Sequence, residues 1–147
     1  MTDQDLIAAA RAAALKAYAP YSRFSVGCAV ESVDGTVVTG ANMENACYRL
    51  GVCAELAALT AAQSAFGIDK VTRIAVAGGD GSGIELSGSS PVTPCGGCRQ
   101  AILEAAQLSS QDIEIICVSG DGTRFETHRI SALIPHGFGR ASLADSA

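Results

Sequence analysis

Two short segments constrain this chain more than any other feature in it: Cys53-Ala54-Glu55 and, later, Pro94-Cys95-Gly96-Gly97-Cys98. Each stands at the start of a predicted helix. The helix, strand and loop between them are about what sets two helix N-termini side by side at the ends of parallel strands. Three thiols then converge. A helix N-terminus carries roughly half a positive charge and free N–H donors, which lower thiol pKa values and hydrogen-bond thiolate sulfur. Zinc suits such a place, because it accepts tetrahedral thiolates at about 2.3 Å and, with only three protein ligands, keeps a fourth position open for water. A centre of three thiolates is a weaker Lewis acid than one held by neutral histidines, so a nearby base becomes more necessary. Glu55, in the first turn after Cys53, is placed to take a proton without occupying the metal.

The chain has six cysteines, at 28, 47, 53, 95, 98 and 117. Its opening, MTDQDLIAAARAAALKAYAP, has no basic stretch followed by an apolar core and does not read as a signal peptide. The expectation is a cytoplasmic protein with reduced thiols, in which clustered cysteines are ligands rather than bridges. A net charge of −5 with no concentration of Lys or Arg argues against nucleic acid as a partner. The apolar runs fall short of the roughly 20 residues that cross a bilayer, so no membrane partner is expected. A length of 147 residues fits one domain, 1–147. With 48% hydrophobic and only 17% charged residues, part of the apolar surface is expected between subunits.

Apolar spacing predicts a helix over 3–18, capped by Thr2 or Asp3 and ended by Pro20. FSVGCAVES (24–32) and TVVTGANM (36–43) flank Val33-Asp34-Gly35 and read as an antiparallel hairpin. A helix follows over 53–66, stopped by Gly67, then a buried strand at 71–77 and a loop at 78–93. A helix from Cys95 to Leu108, strands at 113–120 and 123–128, a helical turn at 130–134 and a frayed tail from about 139 complete the chain. The fold class is α/β: a mixed five-stranded sheet with helices in three α/β/α layers and two β-α-β crossovers, right-handed by rule.

The motif pair, together with AYAPYSRFSVG at 17–27, GANMENACY at 40–48, CAEL at 53–56, PCGGCRQ at 94–100 and LIPHGFG at 133–139, resembles the zinc-dependent nucleoside and nucleobase deaminases. Within them it looks like the small homotetrameric cytidine deaminases. The resemblance implies one zinc per chain on Cys53, Cys95 and Cys98, with Glu55 as general acid and base. It places Phe24 on the pyrimidine, Asn42 and Glu44 on the ribose hydroxyls, and the Ala54 backbone on the base carbonyl. The carbonyl near Thr93 accepts the leaving amine. Phe138 comes from a neighbouring subunit over the pyrimidine, and Tyr48 lies at a subunit contact that lines the ribose site. The implied reaction is hydrolytic deamination of cytidine and 2′-deoxycytidine to uridine and 2′-deoxyuridine plus ammonia, in pyrimidine salvage.

Two features depart from that pattern. Leu56 stands where the family usually has Arg, leaving Arg99 and Arg49 as the nearest cations in sequence to balance the thiolates. Leu at this position also resembles the blasticidin S-type aminohydrolases, an alternative among cytosine-nucleoside enzymes. The 78–93 loop is longer and richer in Gly and Ser than is usual before the Pro-Cys motif. Other readings are blander: a closed structural zinc site with Cys47 or a histidine as fourth ligand, or a redox pair at Cys95 and Cys98. A polynucleotide deaminase needs a basic groove that the charge denies it. Cys28, Cys47 and Cys117 read as packing thiols, Phe125 as core, and His128 and His136 as surface or interface groups. GGDGSG lacks the pattern of a phosphate loop.

Overall fold

Apolar residues alternate along the strands and divide between two faces. Cys28, Val30, Ile74, Val76, Ile115 and Cys117 point to one side, whereas Ala29, Ala75, Ala77, Ile116 and Val118 point to the other. Both sides are therefore covered. The computed structural model describes residues 1–144. Its strands are β1 (Phe24–Ser32), β2 (Val37–Ala41), β3 (Val71–Asp80), β4 (Glu114–Ser119) and β5 (Phe125–Arg129). They form one mixed sheet in the order β2-β1-β3-β4-β5. β1 pairs antiparallel with β2 and β3, β3 pairs parallel with β4, and β4 pairs antiparallel with β5. Strands β2, β3 and β4 thus run the same way. The helices that connect them, α2 (Ala54–Ala65) and α3 (Gly96–Ser109), pack on one face, and α1 (Asp3–Ala14) covers the other.

Thr2 caps α1 through a reciprocal capping box with Asp5. The helix approaches the sheet closely because the facing residues are small: a Cβ on Gly27 would lie 2.1 Å from the Ala10 carbonyl oxygen. It ends at Ala14, earlier than the apolar spacing predicts. The reason is tertiary. The Tyr18 amide donates to the Asn42 carbonyl and the Glu44 amide donates to the Tyr18 carbonyl, so this residue is drawn into a bridge with the chain beyond β2.

β3 runs on to Asp80, through residues expected to open the following loop, because Gly78, Gly79 and Asp80 pair with Val26, Ser25 and Phe24. Glycine hid this extension from a reading based on apolar character. A Cβ on Gly79 would meet the Ser87 carbonyl oxygen at 1.9 Å, so the returning loop needs a strand without side chains there. Phe125 is not core. It lies opposite Val118 in the register, but α1 packs on β1 and β3 and scarcely reaches this edge, leaving the ring 48% exposed. The tail is also more ordered than expected. After the short helix α4 (Ile130–Leu133), residues Arg140–Ala144 form α5, with the Ala141 amide donating to Gln107 Oε1 at 3.4 Å. Residues 145–147 of the expected frayed tail lie outside the described residues. No helix among the described residues is long and apolar enough to cross a membrane.

Candidate active site

The chain leaves the C-terminal ends of β2 and β3 and reaches α2 and α3 at the same end of the sheet, where open α/β folds place their sites. Cys53 is the N-cap of α2, Cys95 is the N-cap of α3, and Cys98 lies in the first turn of α3. Their Sγ atoms all lie within 4.8 Å of one another. Thiolates on a tetrahedral zinc with 2.3 Å bonds stand about 3.8 Å apart, so only a small contraction separates this triad from a ligand set. Three soft sulfurs and no carboxylate also suit zinc chemically. This cluster includes neither Cys47 nor a histidine, so the fourth ligand of a closed structural site is missing from it.

The thiols differ in their surroundings. The backbone amide of Cys98, with that of Gly97, holds the Cys95 thiol below its ordinary range, as a helix N-terminus should. Burial pushes Cys53 and Cys98 up, the latter with further opposition from the Glu55 charge. A divalent cation among the sulfurs supplies the positive charge that their ionisation needs. Glu55, only 5% exposed, is raised by burial, against which its own backbone amide and the Cys98 thiol act.

Beside Cys53 opens a cavity of about 520 Å³ whose wall includes Tyr21, Asn42, Glu44, Tyr48 and Val52. Two of the expected ribose ligands are thus together with one thiol. Both also hold the wall itself. Asn42 accepts from the Val26 amide at 2.9 Å and donates to the Phe24 carbonyl at 2.9 Å. Glu44 Oε1 accepts from the Tyr21 amide at 3.0 Å and the Ser22 amide at 3.1 Å; Ser22 contributes most to holding this carboxyl below the usual carboxylate range. The Tyr48 ring meets Tyr21 edge-on, with centroids 6.0 Å apart, and is 79% exposed.

The other expected site residues do not line this cavity. Phe24 faces a second hollow of about 330 Å³, with Gly78, Asp80, Ser90 and Val92. Ala54 is fully buried, Thr93 is exposed on the approach to Cys95, and Phe138 is 63% exposed with its carbonyl accepting from Gln100 at 2.6 Å. Sequence reasoning missed Tyr21 and Ser22. Their only signal was membership of the segment AYAPYSRFSVG, because the bonds that bring them to Glu44 span more than twenty positions.

Cys28 and Cys117 are buried as packing thiols, with burial pushing Cys117 up to about 12, but Cys47 is exposed. Cys47 sits in a surface turn where its amide donates to Asn45 Oδ1, not in the core expected of it. Leu56 faces a shallow groove between α2 and α3, against Leu59 and Ala101, and is 39% exposed. Arg99, which sequence proximity suggested as a counter-charge, directs its donors to oxygens at Pro94, Leu133 and Thr93. His136 is exposed, and His128 is half-buried with Nε2 3.2 Å from Glu126.

An α/β sheet with three thiols gathered at paired helix N-termini and a buried glutamate beside them defines a metal-site class of enzyme fold. Residues 1–110 match the family model described as the cytidine and deoxycytidylate deaminase zinc-binding region. A cytidine deaminase of Sporosarcina psychrophila is 35% identical over 147 residues, covering 100% of this chain and 98% of its own length. One from Halalkalibacterium halodurans is 39% identical over 145 residues, covering 99% of this chain and 100% of its own. The crystal structure of a cytidine deaminase from Burkholderia pseudomallei superposes with a TM-score of 0.80 at 40% identity, covering 94% of this chain and all of that one. The chain belongs to the cytidine and deoxycytidylate deaminase family and carries its zinc-binding region.

Proposed function

We propose that this chain catalyses the hydrolytic deamination of cytidine and 2′-deoxycytidine, yielding uridine or 2′-deoxyuridine and ammonia in pyrimidine salvage. The observation that carries the reading is the convergence of Cys53, Cys95 and Cys98 within 4.8 Å, next to a buried Glu55, in a chain of this family. The three thiolates would hold zinc, which when bound would supply Lewis acidity toward a water oxygen. Glu55 takes a proton from the water that attacks C4 and passes it to N3, then takes the proton of the new C4 hydroxyl and delivers it to the amine as the C4–N bond breaks. The Ala54 backbone holds the base carbonyl, and the carbonyl near Thr93 accepts the amine. Asn42 and Glu44 take the ribose hydroxyls, and Phe24 packs on the pyrimidine.

The assembly is a cytoplasmic homotetramer of one-domain chains. Phe138 serves the site of a neighbouring copy, and Tyr48, at the subunit contact, lines the ribose site, which fits their exposure. The neutral nucleoside suits an acidic chain with net charge −5.

The test is Glu55→Gln in zinc-loaded protein, with the absorbance change on cytidine and deoxycytidine as readout. Loss of turnover by at least about 10²–10⁴-fold with zinc retained is the expected result. Absence of turnover on either nucleoside by the unmodified, zinc-loaded protein overturns the reading. Turnover of blasticidin S in place of both nucleosides redirects it to that substrate.

A further inference from the structure

Arg99 follows Cys98 in the first turn of α3, and its guanidinium makes a fork between two backbone carbonyls. Nε donates to the Pro94 oxygen at 2.8 Å and Nη1 donates to the Leu133 oxygen at 2.9 Å, while Nη2 lies 3.5 Å from Thr93 Oγ1. The two shorter bonds join separate segments. One fastens the peptide immediately before Cys95, and the other fastens the last residue of α4. Next to it, Gln100 Nε2 donates to the Phe138 carbonyl at 2.6 Å. Adjacent side chains of one helical turn therefore hold both the thiol-bearing turn at 93–98 and the segment at 133–138.

The turn needs such support. Gly96 and Gly97 have open space where a Cβ would stand, so no packing of their own fixes them. Cys95, the N-cap of α3, is exposed, and no oxygen-bearing side chain caps the helix in its place. A partly buried, planar guanidinium with two aligned donors fixes orientation better than a point charge on a flexible stem. The peptide plane at Pro94 fixes where the chain turns into Cys95, and the Thr93 carbonyl lies one residue before it.

We propose that Arg99 is a positioning residue: by bridging the Pro94 and Leu133 carbonyls it sets the Cys95–Cys98 turn for the metal and aims the Thr93–Pro94 backbone at the amine end of the substrate. This rests on the proposed function for the amine contact, and on the cysteine triad alone for the metal. Geometry, not charge, is what Arg99 supplies. A lysine keeps the charge but cannot span both carbonyls with the same fork.

The experiment compares wild type, Arg99→Lys and Arg99→Gln in three measurements. These are zinc release to a chromophoric chelator, the visible spectrum of the cobalt-substituted proteins, and kcat and KM for cytidine at saturating zinc. The expected result is roughly ten- to hundredfold weaker zinc retention in both variants, the range seen when groups behind metal ligands are removed. The cobalt–thiolate bands should shift in both, and kcat should fall with KM within about twofold. Wild-type retention and spectrum in Arg99→Lys with loss in Arg99→Gln assign Arg99 to charge balance and overturn the proposal. Unchanged retention in both variants overturns it as well. Should Arg99→Gln not fold, Arg99→Lys alone decides against wild type. Should neither fold, hydrogen exchange at the Arg99 Nε–H of the wild type is followed by NMR: a proton protected from exchange, and protected further by zinc, supports the clamp, and one that exchanges as freely as an exposed arginine with and without zinc overturns it. The metal measurements stand whether or not cytidine is turned over, so failure of the clamp is distinguishable from failure of the activity.

Discussion

The side-chain amide of Asn42 donates to the carbonyl of Phe24 at 2.9 Å, joining the residue proposed for the ribose to the one proposed for the pyrimidine. With the Val26 amide held at its side-chain oxygen and its own amide donating to the Val26 carbonyl at 3.2 Å, Asn42 extends the pairing of β2 with β1 beyond Ala41 by backbone and side chain together. Replacing Asn42 by Ala leaves the Val26 amide and the Phe24 carbonyl without their side-chain partners. The expected cost is about 1–3 kcal/mol in urea unfolding, together with a raised KM for cytidine. Unchanged stability with a raised KM would mean that Asn42 serves substrate alone.

Asp34, in the β1–β2 turn, accepts from the Ser32 hydroxyl and from the Thr36 amide at 3.0 Å. These bonds, Ser32 first, hold its carboxyl down at about 2. An aspartate in the unfolded chain titrates near 3.9. Because the folded value is the lower one, the stabilisation is present above about pH 4 and is lost as pH falls toward about 2. Thermal melts of wild type and Asp34→Asn should differ by a constant amount from about pH 8 to 5, and the gap should close across that acid window. A gap that widens on acidification contradicts the assignment.

The six thiols should divide by exposure when the protein is alkylated and mapped by mass spectrometry. Without metal, Cys47, Cys53 and Cys95 are exposed and should react, whereas Cys28, Cys98 and Cys117 are buried and should be spared. Zinc should then protect Cys53 and Cys95 by at least about tenfold in rate, since the bound thiolates are no longer free nucleophiles. Cys47 should react equally in both states. Protection of Cys47 by zinc, or none at Cys53, would falsify the proposed ligand set.

The metal triad was legible in the sequence because its ligands occupy the starts of helices, and helix starts are set by local rules. The strands were legible for a similar reason: alternation through residues 28–30, 74–77 and 115–118 survives into two packed faces. What could not be read depended on partners far along the chain. Tyr18 left its helix for Asn42, and Gly78 and Gly79 joined β3 because β1 lay alongside. Phe125 looked like core by type, yet the helix that would cover it stops short. Resemblance proposes Glu44 and Asn42 for the ribose, but nothing local announces that each ties down the β1 approach. The position of Arg99 in the sequence suggests a counter-charge, whereas its hydrogen bonds make a fork between two carbonyls.

The placement of Cys53 and Cys95 as helix caps has a consequence for how such a site can change. The stretches that lead to them, 42–52 and 81–94, follow the strands, and each ligand begins a helix packed on the same face of the sheet, with Arg99 tying the last residue before Cys95 to the helix that Cys95 begins. The exposed tip of the second stretch, 82–85, lies well ahead of that tie, so residues can be added or removed there while the sulfurs keep their places. The metal chemistry is thereby insulated from the length of that loop, and the loop is left free to vary.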